Sequence, residues 1–69
     1  MLNSRFSGKI PVLKIFKSEK DNLWYWNIKV ISDIIASSSE GYVNRSECLE
    51  NILNTEKRIT YLRENNLIK

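Results

Sequence analysis

Histidine is absent from this sequence, and cysteine and proline occur once each, as Cys48 and Pro11. One thiol cannot close an internal disulfide, and without histidine there is no Cys/His set of the kind that holds structural zinc. Nucleophilic arrangements that need an imidazole as base are excluded on the same ground. Glycine occurs only twice, at Gly8 and Gly41, so no glycine-rich phosphate loop can be drawn anywhere in the chain. No apolar run approaches the ~20 residues of a membrane-spanning helix. Arg5 and Lys9 are not followed by the apolar stretch of an export signal. With a lone thiol and no such stretch, the expected compartment is the cytoplasm. Nothing calls for a cofactor, a metal or a membrane.

What is present is a chain of 69 residues, 42% hydrophobic, which fits one globular domain. A domain of this size buries only about 60% of the surface its unfolded chain exposes, and its core supplies roughly 3 to 5 kcal/mol. Small domains add a staple, and with disulfide and zinc excluded the one that remains is oligomerisation. The net charge of +3 is uneven: residues 1–33 hold six Lys/Arg against three Asp/Glu, and residues 34–69 hold five of each. Such a modest excess reads as a solvated surface before it reads as a field for an anionic partner.

Residues 1–11 mix Ser, Asn and Gly with scattered apolar residues, without a period, and are expected to form a flexible arm; residues 12–69 form the domain. Val12 to Lys17 is β-branched and aromatic and reads as a first strand, Leu13 and Ile15 facing the core with Lys14 and Phe16 outward. The polar cluster Ser18 to Asn22 is a hairpin loop. In the second strand, Leu23 to Val30, the alternation of Trp24, Trp26, Ile28 and Val30 with Tyr25, Asn27 and Lys29 puts an apolar and a polar row on opposite faces. Two tryptophans can bury ~150 to 250 Å² each, so the core is expected beneath them. A turn at Ile31 to Asp33 leads to a third strand, Ile34 to Ser38. Glu40, Gly41 and Tyr42 then turn the chain, with Gly41 expected at positive φ.

Asn44 with Glu47 three residues on is a capping-box pattern that starts a helix. Cys48, Leu49, Ile52 and Leu53 follow at helical spacing and are expected on the tryptophan side of the sheet. Cys48 fits as a small buried hydrophobe; a reactive thiol would need an electropositive, accessible setting, for which Arg45 is the one hint. Lys57 and Arg58 resemble a last turn, where cations suit the helix C-terminus. Ile59 to Leu62 has strand composition and is read as a final strand, the alternative being a single helix to about Glu64. The fold class is therefore α+β: a three-stranded antiparallel meander, one helix and a C-terminal strand.

Leu-Lys-Ile-Phe-Lys at 13–17, Trp-Tyr-Trp-Asn-Ile-Lys at 24–29, Ile-Ile-Ala at 34–36, Ser-Glu-Gly-Tyr at 39–42 and Asn-Arg-Ser-Glu-Cys-Leu at 44–49 with Ile52 resemble the YegP-like family of small bacterial and archaeal proteins. The resemblance covers roughly residues 12–58. It implies a β-β-β-α-β unit, and for a single copy a two-fold homodimer that shares one sheet and exchanges the last strands. The chain departs from the family pattern at Tyr25 and Asn27, where arginine is common, at Ile31 to Asp33, where an Asn-Gly turn is common, and at Asn51, where the helix commonly has glycine. The family carries no activity to transfer.

On the residues, the favoured function is a non-catalytic interaction or structural module acting as a homodimer. The alternative is weak nucleic-acid binding through the open sheet face, using Lys14, Phe16, Tyr25, Asn27 and Lys29 as a mixed basic and aromatic platform. An enzyme built on Glu40 with Tyr42 is a third possibility. It would need a perturbed carboxylate in a pocket.

Overall fold

The computed structural model describes residues 9–69. Most of the arm expected over residues 1–11 falls outside them; Lys9, Ile10 and Pro11 lead into the sheet without regular structure. Three antiparallel strands follow, β1 (Val12–Lys17), β2 (Trp24–Val30) and β3 (Asp33–Ser37), in the spatial order β1-β2-β3. Register places Leu13 opposite Ile28, Lys14 opposite Asn27, Ile15 opposite Trp26 and Phe16 opposite Tyr25. The period-two reading of β1 and β2 holds, because pleating sends alternate residues to opposite faces.

The β1–β2 loop turns without glycine. Asn22 adopts φ 60, the left-handed region that asparagine tolerates better than most residues. The amide of Asn22 bonds the Ser18 carbonyl at 2.9 Å, and that of Leu23 bonds Asp21 Oδ1 at 3.0 Å. The β2–β3 connection is tighter: Val30 pairs with Asp33, leaving Ile31 and Ser32 as the turn. Ile31 sits at φ 59 and Ser32 does not join it at positive φ, the φ pattern of a type II′ turn, which ordinarily puts glycine first. Farther along, Ile28 faces Ala36 and Lys29 faces Ile34, so Ile35 is an extra residue and β3 carries a bulge.

Past β3 the chain stays on β2. Ser38 N–H bonds the Trp26 carbonyl at 2.9 Å, and Tyr42 and Trp24 exchange backbone bonds of 2.7 and 2.8 Å. Gly41 lies in this return, but not at positive φ as expected. Its requirement is space: a Cβ there would sit 2.7 Å from Leu23 Cβ and 2.7 Å from Tyr25 Cζ.

One helix, α1, runs from Arg45 to Glu64. Asn44 and Glu47 form the predicted capping box, with Glu47 Oε1 accepting the Asn44 amide at 3.3 Å. The expected C-terminal strand is not formed: Ile59–Leu62 continues the helix, which corrects the exchanged-strand expectation for this segment. The stop lies later. Asn66 takes φ 55, Leu67 N–H bonds the Leu62 carbonyl at 2.8 Å, and Asn66 N–H bonds that of Arg63 at 3.4 Å. These two bonds are the Schellman closure of a helix on a left-handed residue.

Twenty residues of helix span about 30 Å, whereas strands of five to seven residues cover roughly 17 to 23 Å. The helix overhangs the sheet as a result. It packs on β2 and β1 and does not reach β3. Among the described residues the buried hydrophobes are Trp26 and Cys48, with Ile15, Trp24, Ile28 and Ile52 half-buried around them. Leu13, Leu49 and Leu53, expected in the core, are exposed at 43, 41 and 49%. Leu49 and Leu53 sit about 100 to 140° around the helix from Cys48, on its flank. Leu13 lies where the helix leaves the sheet uncovered.

Candidate functional site

Two faces of the sheet compete as functional surfaces. On the helix side, Leu13, Ile28 and Ala36 line up across the three strands. Together with Trp26, Ile52 and Ile59 they form the walls of a mostly apolar groove of about 450 Å³. Ile59 and Leu62 continue the sheet-facing helical stripe beyond the sheet and are 55 and 38% exposed, whereas Ile34, paired with Lys29, belongs to the opposite face. The period of the stripe, Cys48, Ile52, Thr55, Ile59, Leu62, is present in the sequence, but the β-like composition of Ile59–Leu62 competes with it.

A polar contact fixes the top of this groove. Trp26 Nε1 donates to Asn51 Oδ1 at 2.8 Å, so the asparagine turns toward the sheet and answers the indole of the buried Trp26. Cys48 next to it is completely buried. Burial pushes its thiol up, the Arg45 charge pulling only weakly the other way. A thiol in that state is a poor nucleophile, which favours the packing role over the reactive one.

The opposite face brings together Lys14, Phe16, Tyr25, Asn27 and Lys29, the residues proposed from the sequence as a platform. The rings of Phe16 and Tyr25 stack with centroids 6.1 Å apart and planes 24° apart. Tyr25 is anchored at its far end, where its hydroxyl donates to Asp21 Oδ2. That bond holds the Asp21 carboxyl below its usual range, helped by the Leu23 amide, and holds the Tyr25 phenol above its own.

Asn27 departs from expectation. It belongs to the outward polar row, yet it is 8% exposed, and its Oδ1 has no hydrogen-bond partner among the described residues. A buried acceptor left unpaired costs about 1 to 3 kcal/mol. Strand alternation assigns Asn27 to a face and says nothing of what covers it there. Asn27 lies at the edge of a cleft of about 470 Å³ that it shares with Ile10, Val12, Lys14, Lys29 and Ile31.

Glu40 is exposed at the rim of a shallow hollow that also includes Tyr42, Glu47, Asn51 and Arg58. The Tyr42 hydroxyl titrates above its usual range, mainly through burial and secondarily through the Glu40 charge. Among the described residues no three His, Cys, Asp or Glu side chains come together as a metal site, and no helix is long and apolar enough to cross a membrane. Comparison with known proteins adds no family: no protein-family model, curated protein or solved structure matches the chain.

Proposed function

We propose that this chain is a non-catalytic interaction module of the cytoplasm that works as a two-fold homodimer, each protomer's helix-side groove being covered by its sister copy. The observation that carries this reading is the open groove itself. A domain of 69 residues can spare little apolar surface, yet Leu13 and Ile59 are exposed in the walls of this groove, and Leu62 is exposed beyond it on the same helical stripe. The patch joins a sheet face that lacks a helix to a helix end that lacks a sheet. Two such surfaces on one molecule are complementary to the same two on another, the condition for an isologous pair. The resemblance to the YegP-like family supports the same pairing. The helical state of Ile59–Leu62 moves the expected contact from an exchanged strand to this groove.

The non-catalytic part rests on chemistry. The chain has no imidazole, its thiol is buried with a raised pKa, and Glu40 stands in solvent. Light scattering on the full chain should give twice the 8.1 kDa protomer mass. Ile59→Glu, a change at an exposed position that should leave the protomer folded, should halve that mass. A wild-type chain that stays at the protomer mass at its highest soluble concentration ends the proposal.

A further inference from the structure

The open face of the sheet is ordered in three rows by its register. Phe16 faces Tyr25, Lys14 faces Asn27, and Val12 faces Lys29. Alternate residues on a strand fall about 6.6 Å apart, so an aromatic row is followed by a polar row of Lys14, Asn27 and Ser37 and by a mixed row in which Lys29 stands between Val12 and Ile34. Lys14 and Lys29 lie diagonally across the strand pair, about 7 to 8 Å apart at the backbone. Asn27 sits between them with an acceptor that nothing among the described residues answers.

Each chemistry on this face narrows the ligand. A carboxylate or sulfate answers the two ammonium groups but has no proton to give to Asn27. An aliphatic chain answers Val12, Ile10 and Ile31 and leaves both lysines and the amide idle. A nucleotide unit has an anionic phosphate, a π face, and N–H or ribose hydroxyl donors together. Two lysines on separate rows match successive phosphates of a strand better than one phosphate of a free nucleotide.

We propose that this face binds single-stranded nucleic acid, a base stacking beside Phe16, neighbouring phosphates on Lys14 and Lys29, and a base edge or ribose hydroxyl donating to Asn27 Oδ1. Asn27 Oδ1 is covered in the free protein, so a donor reaches it by displacing a neighbour; Lys14 and Lys29, which line the same cleft and are exposed, are flexible side chains that can yield there. The face lies opposite the groove assigned to the sister copy, and the two readings stand or fall separately.

The test is fluorescence anisotropy of labelled mixed-sequence RNA and DNA strands of roughly 12 nucleotides, titrated with the full chain at several salt concentrations. Binding should be micromolar at about 50 mM salt and should weaken with a log–log slope of about −1.4, the value for two phosphates on a single strand. Lys14→Gln should halve that slope. Asn27→Leu should weaken binding about tenfold without changing the slope, while its melting temperature holds or rises because a buried orphan acceptor is gone. Phe16→Leu should weaken binding at least fivefold through lost stacking. Either of two results overturns the proposal for the strand: no anisotropy change at low salt, or a mononucleotide that binds as tightly as the strand. Affinity untouched by both Asn27→Leu and Phe16→Leu also overturns it, by reducing the interaction to diffuse charge.

Discussion

The indole nitrogen of Trp26 and the side-chain oxygen of Asn51 are joined across the helix–sheet interface by a hydrogen bond of 2.8 Å. It is a directional tie in an interface otherwise made of the buried Cys48 and half-buried aliphatic side chains. Asn51→Ala leaves a part-buried N–H without an acceptor, a loss of about 1 to 3 kcal/mol. The higher helix propensity of alanine returns up to about 0.7 kcal/mol of it. The expected net loss is about 1 kcal/mol, read from the urea midpoint at constant m. An unchanged midpoint would mean that water replaces the asparagine at the indole.

Gly41→Ala tests the close approach behind β2. The new methyl would meet Leu23 Cβ and Tyr25 Cζ at 2.7 Å; the first is fixed to the backbone, and the second is held by the hydrogen bond of its hydroxyl to Asp21. Overpacking of this kind destabilises by about 1 to 3 kcal/mol. Thermal unfolding of the variant checks it; a wild-type melting temperature would show that the return segment has room.

Ile31 is the reverse case, a side chain where the backbone favours none. A β-branched residue at φ 59 carries a strain of about 1 to 2 kcal/mol. Because its side chain is exposed, removing it loses little packing. Ile31→Gly should therefore stabilise by about 1 kcal/mol, raising the melting temperature by about 4 to 8 °C. Ile31→Val keeps the branch and should give no gain. A gain from valine equal to that from glycine would assign the effect to hydrophobicity and not to φ.

Stability should depend on pH at both ends through Asp21 and Tyr25. Asp21 titrates below its ordinary value in the fold, so its contribution is present above about pH 4 and is lost as pH falls through the lowered pKa. Tyr25 titrates above its ordinary value, so its contribution is present below about pH 10 and is lost as pH rises through the raised pKa. Cys48 and Tyr42, also raised, act in the same alkaline direction. Urea unfolding across this range should show Tyr25→Phe flattening the acid limb and softening, without abolishing, the alkaline one. An acid limb identical in wild type and variant would remove the Tyr25–Asp21 pair as its cause.

How far these features could be read from residues alone differs by element. The meander was legible because the rows Trp24, Trp26, Ile28 and Tyr25, Asn27, Lys29 alternate without interruption and a polar cluster marks the first turn; the second turn, with Ile31 in it, is less marked, and β3 starts at Asp33, one residue before the expected Ile34. The end of the helix was not. Ile59 to Leu62 has β-like composition, but a helix already nucleated at Asn44 extends with one hydrogen bond for each residue it fixes. The informative stop was Asn65-Asn66-Leu67, where a left-handed asparagine closes the last turn. Of the platform residues, strand parity gave the membership of the face. The burial of Asn27 depends on the side chains packed around it in the fold, and single-strand periodicity is blind to that.

The bulge in β3 has a consequence for how the sheet can grow. Its additional residue, Ile35, breaks the even spacing of amides and carbonyls along that margin, and Asp33 adds a charge beside it. Both are devices that discourage a foreign strand from docking. The outer rim of β1 has no bulge from Val12 to Lys17, and its guards are the charges of Lys14 and Lys17. A strand that pairs with this sheet would find an evenly spaced ladder on β1 and not on β3, and acidic side chains on it would turn those two guards into partners.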